Sequence, residues 1–280
     1  MIRTGERMRE YIVALVAGIV QGIVEWLPVS SQGNVALALT ALGTSPDVAL
    51  QLALFFQVGT TLSAATYYRE DLATAIETLP EWRPDAAYTG DSAITSYLVV
   101  ACLTTGLVGI PLYVVAVDIA GRVSGGVFIA AIGVLLVLTG LLQQASGSEA
   151  AELREQPTLF DSLFVGAAQG IAILPGISRS GITTSALLFR SYEPASAFRL
   201  SFLLSIPASL GAAALTVAGA GGLPGVGLGA ALTALVVSAV VGYLTIDALM
   251  RVVERVPFAL VCYGLGTLAI VGGGVVALVV

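Results

Sequence analysis

The chain has 280 residues, of which 57% are hydrophobic and 11% are charged, and its mean hydropathy is +0.95. A soluble domain carries about 25% charged residues, so this composition excludes a soluble globular protein and indicates an all-α integral membrane protein. Histidine and lysine are absent, and all 12 basic residues are arginines. Histidine general bases, histidine metal ligands, Schiff-base lysines and the P-loop lysine are therefore excluded.

The first predicted element is an interrupted apolar segment over residues 11–44. One run starts at Tyr11 and ends at Pro28, and a second starts between Ser31 and Asn34 and ends at Gly43. The first run has no small-residue cleavage site, so we expect no cleavable signal peptide. The second run covers about 15 Å as a helix, half of a hydrocarbon core. Two short helices around a break predict a re-entrant hairpin, which is tolerated only where it is buried in protein or lines a wet cavity.

Three apolar spans follow, each close to the roughly 20 residues that cross a bilayer: Ala49–Tyr68, Ser96–Val117 and Gly126–Gln143. The net charge of −6 arises mainly in the loops over residues 70–91 and 149–161, which we interpret as solvated loop faces. Cys102 and Cys262 lie singly in apolar spans. This placement is typical of packing residues and indicates neither a disulfide nor a metal site.

A second interrupted segment covers residues 161–191. Its first run starts at Asp161 and ends at Pro175-Gly176, and its second run, from Ser180 to Arg190, is again half the length of a span. This pattern predicts a second re-entrant hairpin. Three further full spans complete the chain: Leu200–Ala218, Leu228–Leu249 and Pro257–Val280.

The two halves of the chain align without a gap at a constant offset of 148 positions. The matched residues include Gln21-Gly22-Ile23 with Gln169-Gly170-Ile171, Ser30 with Ser178, and Gly33 with Gly181. We therefore predict one membrane domain over residues 1–280, with a first repeat over 11–143 and a second over 161–280. Each repeat makes three crossings, and this odd number inverts the second repeat relative to the first. In the alternative, both interrupted segments span, which gives eight crossings and parallel repeats; the arginines do not decide the orientation.

Two charged side chains lie within the interrupted segments. Arg179 belongs to the tetrad Ser178-Arg179-Ser180-Gly181, and an arginine at bilayer depth costs roughly 3 kcal/mol. Glu25 is the only acid between Tyr11 and Pro46. We expect the fold to bring this carboxylate and this guanidinium together.

The second helix of each predicted hairpin begins with residues that cap helices and leave backbone N–H groups free. If the hairpins meet tip to tip, two positive helix ends and Arg179 form a site for a multiply charged anion, best fitted by phosphate or diphosphate. The hydroxyl groups around this place belong to Ser30, Ser31, Ser178, Ser180, Thr183 and Thr184.

Glu25 is the strongest candidate for a general base, because the chain has no histidine. It could take a proton from a serine hydroxyl or a water, or bind a divalent cation that bridges phosphate oxygens. Gln21, one helical turn earlier, could orient the water or Glu25. The structural alternatives are a buried ion pair that only holds the hairpins together, and simple helix capping by Ser30 and Ser31.

Two segments resemble the signatures of a known family. Gln21-Gly22-Ile23-Val24-Glu25-Trp26-Leu27-Pro28-Val29-Ser30-Ser31 resembles a Glu or Gln followed at the fourth position by Glu and then by Pro-Val-Ser-Ser. Pro175-Gly176-Ile177-Ser178-Arg179-Ser180-Gly181-Ile182-Thr183 resembles Pro-Gly-x-Ser-Arg-Ser-x-x-Thr. On these motifs, and along nearly its whole length, the chain resembles the undecaprenyl-diphosphate phosphatases of the bacitracin-resistance type.

The resemblance implies removal of the terminal phosphate from an undecaprenyl-type polyprenyl diphosphate, which recycles the lipid carrier for cell-envelope glycan synthesis. In an archaeal host it implies a dolichol-like lipid that serves glycosylation. It implies Glu25 as the catalytic carboxylate, Ser31 or Ser30 as the nucleophile and Arg179 as the phosphate clamp. It also implies dependence on Mg²⁺ or Ca²⁺, for which Glu25 is the candidate ligand.

We expect six further residues to bind the substrate: Gln21, Asn34, Ser178, Ser180, Gly181 and Thr183. Two of them depart from the family pattern, because Gln21 stands where many members have glutamate and Asn34 where many bacterial members have histidine. A mechanism that needs that histidine fails in this chain.

The leading hypothesis is therefore a multi-pass hydrolase of the plasma membrane. Its expected partners are the polyprenyl diphosphate and the membrane, with no nucleic acid, and a homodimer is left open. The alternative is a transporter or flippase of the phosphorylated lipid carrier, since inverted repeats and broken helices are also typical of transporters. Attack by serine and attack by water are both compatible with the sequence.

Overall fold

The computed structural model of the protein describes residues 2–27, 29–145, 154, 156–223, 226–253 and 258–279. Pro28, Pro257 and Val280, which bound predicted elements, lie outside the described residues, as do the acidic residues Glu149, Glu152 and Glu155 of the loop before Asp161. Within the described residues the chain forms helices and turns, with no strand beyond one isolated bridge between Arg154 and Tyr192.

Eleven α-helices follow one another within the described residues. They are α1 (Ile2–Val24), α2 (Ser31–Ala41), α3 (Pro46–Tyr67), α4 (Arg69–Glu77), α5 (Ser92–Arg122), α6 (Gly125–Ala145), α7 (Leu159–Ile171), α8 (Arg179–Phe189), α9 (Pro194–Ala220), α10 (Leu228–Val253) and α11 (Phe258–Val279).

Six of these helices are long and apolar enough to cross a membrane: α3, α5, α6, α9, α10 and α11. Each overlaps one of the six predicted spans, so the prediction of six helices long and apolar enough to cross a membrane is confirmed. Most of the helices start or end a few residues beyond the predicted bounds. The short helix α4 was not predicted, because its mixed polar and apolar residues lie in an acidic loop.

The two interrupted segments each form two helices separated by irregular backbone. The predicted starts at Ser31 and Ser180 agree with the starts of α2 and α8 to within one residue. Helices α2 and α8 each have 11 residues, about 16 Å. The first of the two helices ends earlier than predicted, since α1 stops at Val24 and α7 at Ile171.

Helices α1 and α7 pack in matching ways on the spanning helices, α1 along α10 and α7 along α5. A Cβ atom added to Gly22 would lie 2.7 Å from the Cβ of Val241, and one added to Gly170 would lie 2.7 Å from the Cβ of Val108. Glycines allow this approach of helix backbones in a membrane. Helix α6 packs along α11, and α3 contacts α9 near the centre of the molecule.

The start of each interrupted segment lies close to its end. Asp161, in the first turn of α7, pairs with Arg190, which directly follows α8. In the first half, Glu10 and Thr44 line the same cavity of about 340 Å³.

Candidate active site

Two serines, 148 positions apart, cap the helices that start at the breaks. The Oγ atom of Ser30 accepts hydrogen bonds from the backbone N–H groups of Gly33 and Gly176, both at 3.2 Å. The Oγ atom of Ser178 accepts one from the N–H of Gly181 at 3.1 Å. Ser30 has a left-handed backbone (φ 61°), a strained conformation that is common at functional sites. Ser30 and Ser178 are therefore helix N-caps, whereas Ser31, for which capping was the other alternative, is the first residue of α2.

The two breaks touch each other directly. A Cβ atom on Gly33 would lie 2.8 Å from the backbone nitrogen of Gly176, so glycine is needed at this approach. The Nε2 atom of Gln32 also donates to the carbonyl oxygen of Ile173 at 2.9 Å. Helices α2 and α8 therefore direct their N-termini, where the N–H groups lack helical partners, at one region.

The carboxylate of Glu25 lies at this meeting point and is bonded on both oxygens. Its Oε1 atom accepts from the Nη2 of Arg179 in a buried ion pair between the two halves of the chain. Its Oε2 atom accepts from the Nε2 of Gln21 at 2.7 Å and from the Oγ of Ser31 at 2.5 Å. The structure thus brings together Glu25, Arg179, Ser31 and Gln21, as the sequence predicts.

The ion pair is almost completely removed from solvent, with side-chain exposures of 16% for Arg179 and 4% for Glu25. Burial of two charges is costly unless their remaining donors and acceptors are satisfied. Yet the Nη1 atom of Arg179 is buried and has no hydrogen-bond partner among the described residues. This N–H group is therefore available to an anion other than the carboxylate of Glu25.

A small cavity opens at the ion pair. Its volume is about 10 Å³, the room of roughly one water molecule. A phosphate group is larger than a water, so it can enter only if the cavity widens. The cavity is lined by Glu25, Leu27, Ser30, Ser31, Gln32, Gln57, Ile177, Ser178, Arg179 and Ser180.

Four predicted substrate-binding residues do not line the cavity: Gln21, Asn34, Gly181 and Thr183. Gln21 is bonded to Glu25, and the other three lie at the backbone of the two breaks. The amide of Asn34 donates to the carbonyl oxygens of Val29 and Ser30, at 2.8 and 2.9 Å. The Oγ1 of Thr183 donates to the carbonyl oxygen of Arg179 at 2.7 Å and lies 2.6 Å from the Oγ of Ser201. Gly181 supplies the N–H that Ser178 caps. In this arrangement these residues support the backbone of the two breaks.

Four residues outside the predicted set also line the cavity: Leu27, Gln32, Gln57 and Ile177. A glutamine in an apolar helix, such as Gln57, can either hydrogen-bond between helices or approach a site. Both occur, since its Oε1 accepts from the Oγ of Ser209 in α9 at 3.4 Å. The signal in the sequence was a single amide within an otherwise apolar stretch of α3.

Comparison with known proteins agrees with this geometry. The family model of bacitracin resistance protein BacA matches residues 14–268. An undecaprenyl-diphosphatase of Haloarcula marismortui is 47% identical over 97% of this chain and 100% of its own length. Undecaprenyl-diphosphatases of Methanococcoides burtonii and Saccharolobus solfataricus are 39% and 34% identical, over 92% and 95% of this chain and 96% of their own lengths. The chain therefore belongs to the bacitracin resistance protein BacA family.

Proposed function

We propose that the protein is an undecaprenyl-diphosphatase, an integral membrane hydrolase that converts a polyprenyl diphosphate of the undecaprenyl type to the monophosphate and inorganic phosphate. The observation that carries the proposal is the Glu25 carboxylate, which is hydrogen-bonded to Ser31 at the start of one helix and ion-paired with Arg179 at the start of another. The curated relatives carry the name of this activity.

The arrangement at Glu25 is suited to attack by Ser31 on phosphorus. The Oγ of Ser31 donates a hydrogen bond to Glu25 Oε2 at 2.5 Å, which suits a nucleophile next to its base. The Oγ atom bonds to the terminal phosphorus while Glu25 takes the proton, and the bond from that phosphorus to the bridging oxygen breaks. The lipid monophosphate leaves, and water then releases inorganic phosphate from the serine.

Ser30 is less suited to attack, although it is adjacent. Its Oγ atom accepts two backbone N–H groups, and no hydrogen bond joins it to Glu25. We therefore assign the nucleophile to Ser31 and the capping role to Ser30.

Arg179 serves as the phosphate clamp in this proposal. A diphosphate that enters the cavity competes with Glu25 for the guanidinium, and exchange of partners frees Glu25 Oε1 as Arg179 binds phosphate oxygens. The free N–H groups at the starts of α2 and α8 add positive potential where negative charge develops. Substrate binding by Arg179 thereby makes Glu25 available as the base.

The residues around Glu25 fit a divalent cation only when substrate oxygens complete its shell. Within the described residues, no three Asp, Glu, His or Cys side chains cluster as a metal site. Glu25 and the buried Oε1 of Gln21, which has no partner among the described residues, are the hard oxygen donors available. We propose that these two would hold Mg²⁺ or Ca²⁺, which would neutralise charge on the diphosphate.

We further infer that the interrupted segments are re-entrant hairpins and that the halves form an inverted repeat. The pairing of Asp161 with Arg190 supports entry and exit of the second segment on one side, and the cavity shared by Glu10 and Thr44 supports the same for the first. Helix α1 of the first half packs on α10 of the second half, and α7 of the second half packs on α5 of the first half. This reciprocal packing supports the repeat. This topology suits a multi-pass protein of the plasma membrane, with the lipid tail in the bilayer; a homodimer stays a prediction.

The test is phosphate release by the purified protein in detergent from C15 and C55 polyprenyl diphosphates, with and without EDTA. The wild type should release phosphate, and EDTA should abolish the release if Mg²⁺ or Ca²⁺ bridges the substrate. The control is Arg122→Gln, which removes an exposed arginine paired only with Asp118 and should keep wild-type activity. Binding or translocation of the lipid without phosphate release would support a transporter and contradict the proposal.

A further inference from the structure

Gln57 contributes to the site from α3, outside both interrupted segments. Its side chain lines the cavity, and the residue is 7% exposed. The Oε1 atom accepts a hydrogen bond from the Oγ of Ser209 at 3.4 Å. Within the described part of the chain, no residue accepts a hydrogen bond from its Nε2 atom. Because the Oε1 atom of Gln57 is bonded to Ser209, its Nε2 atom is available to a ligand in the cavity.

Arg179 lines the same cavity and also has an unused donor. The Nη1 atom of Arg179 is buried and has no partner among the described residues. One donor thus comes from α3 and the other from α8. A buried donor without an acceptor is costly, and an oxyanion placed between the two would satisfy both.

We propose that Gln57 is a phosphate-binding residue, and that its Nε2 atom donates to a phosphate oxygen of the substrate when Arg179 has exchanged Glu25 for the diphosphate. The inference rests on the proposed phosphatase function and extends it to a third element. A neutral amide adds a donor without adding a second cation, so it does not compete for Glu25 in the way that Arg179 does. Gln57 therefore strengthens phosphate binding and leaves the base free.

The direct test measures binding of inorganic phosphate as the rise of the thermal unfolding midpoint of the purified protein, since a ligand that binds the folded state stabilises it. The variants are Gln57→Leu, which removes the donor, and Gln57→Glu, which keeps the shape and replaces the donor with a carboxylate. The matched control is Gln51→Leu, which removes a glutamine from the same helix that does not line the cavity.

We expect wild type and Gln51→Leu to be stabilised by phosphate to the same extent. Gln57→Leu should need about tenfold more phosphate for the same rise, as for loss of one hydrogen bond to a charged group. Gln57→Glu should need still more, because the carboxylate repels phosphate. Equal phosphate responses in wild type and both Gln57 variants would overturn the inference, and so would a wild type that phosphate does not stabilise.

Kinetics of diphosphate hydrolysis separate this inference from the proposed function. We expect KM to rise about tenfold in Gln57→Leu and further in Gln57→Glu, with a smaller change in kcat. A purely structural role would instead lower the unfolding midpoint in both variants without this order in KM. A wild type that binds phosphate through Gln57 but hydrolyses no diphosphate would contradict the proposed function and leave the binding role of Gln57 standing.

Discussion

Ser30 and Ser31 are adjacent hydroxyl residues whose surroundings differ. Ser31 donates to Glu25, whereas Ser30 holds the N–H groups of Gly33 and Gly176. The contacts therefore distinguish a hydroxyl group that is bonded to the carboxylate from one that caps a helix, a distinction that the sequence left open.

For Ser31→Ala we predict a fall in phosphate release by a factor of about 10³ or more, as for removal of a nucleophile, with an unfolding midpoint near that of the wild type. For Ser30→Ala we predict a clear loss of stability and a smaller loss of activity. Loss of the cap should cost about 1–2 kcal/mol of stability, with residual activity well above that of Ser31→Ala. The two variants are compared by phosphate release and thermal unfolding in detergent; Ser31→Ala with more than a tenth of wild-type activity would indicate attack by water.

The sequence identified the chemistry-bearing residues because charge is rare in the apolar segments. Glu25 and Arg179 stand out because a charged side chain in an apolar membrane segment has a high free-energy cost. The capping residues around the breaks indicate where helix ends meet. Gln57 could not be assigned in the same way, since an amide within a span serves equally well between helices or in a cavity. The structure decides this, because Gln57 lines one cavity together with residues of both breaks.

At the scale of elements, Asp161 fixes the two ends of the second interrupted segment. It accepts hydrogen bonds from the Nε of Arg190 at 2.6 Å, the hydroxyl of Tyr192 at 2.9 Å and the N–H of Thr158 at 3.0 Å. Burial alone would raise the pKa of Asp161, but the hydrogen bonds from Arg190, Thr158 and Tyr192 outweigh it and hold this pKa below its usual value. Burial and the same carboxylate raise the pKa of Tyr192.

These contacts predict a pH-dependent contribution to stability. Because the pKa of Asp161 is lower in the folded state, its stabilisation is fully present above the unfolded value of about 4. It is lost as the pH falls through the folded pKa. The difference in unfolding midpoint between wild type and Asp161→Asn should be constant from pH 7 to about pH 5 and should shrink toward pH 3. A difference that does not change with pH would show that the charge of Asp161 is not what stabilises the segment.

Sequence reasoning was wrong about Asp161, which was interpreted as part of a solvated acidic loop but is 0% exposed. Thr158 and Asp161 form a capping box, which looks like an ordinary exposed helix start. The burial comes from Arg190 and Tyr192, which are distant in sequence. The matching positions of the first half are Val13, Leu42 and Thr44, and there the same place is a cavity of about 340 Å³.

At the scale of the whole molecule, the six spans follow from hydropathy alone, because each is a continuous apolar run of sufficient length. The relation between the halves does not, since identities among small and apolar residues arise easily in membrane proteins. It becomes visible in paired features such as Gly22 with Gly170 and Ser30 with Ser178, which have matching contacts.

The topology predicts that Ser45 and Glu193 lie on opposite sides of the membrane. Both are exposed residues that precede spanning helices, α3 and α9, at the same offset of 148 positions. Three crossings separate them if the interrupted segments are re-entrant, and four if those segments span. Single cysteines at Ser45→Cys and Glu193→Cys, with Cys102 and Cys262 replaced by serine, should react with a membrane-impermeant maleimide from opposite faces of oriented vesicles. Labelling of both from one face would favour the parallel eight-crossing arrangement.

The convergence of the two halves on one diphosphate is tested most directly by a double-mutant cycle on phosphate release, with Glu25→Gln, Arg179→Gln and the combined variant. If the carboxylate and the guanidinium act on the same phosphoryl group, each single change should lower kcat/KM by a factor of roughly 10² to 10⁴. The combined variant should then be little worse than either, as for residues that act as a unit. Effects that multiply, or single variants with wild-type kcat/KM, would contradict a shared active site.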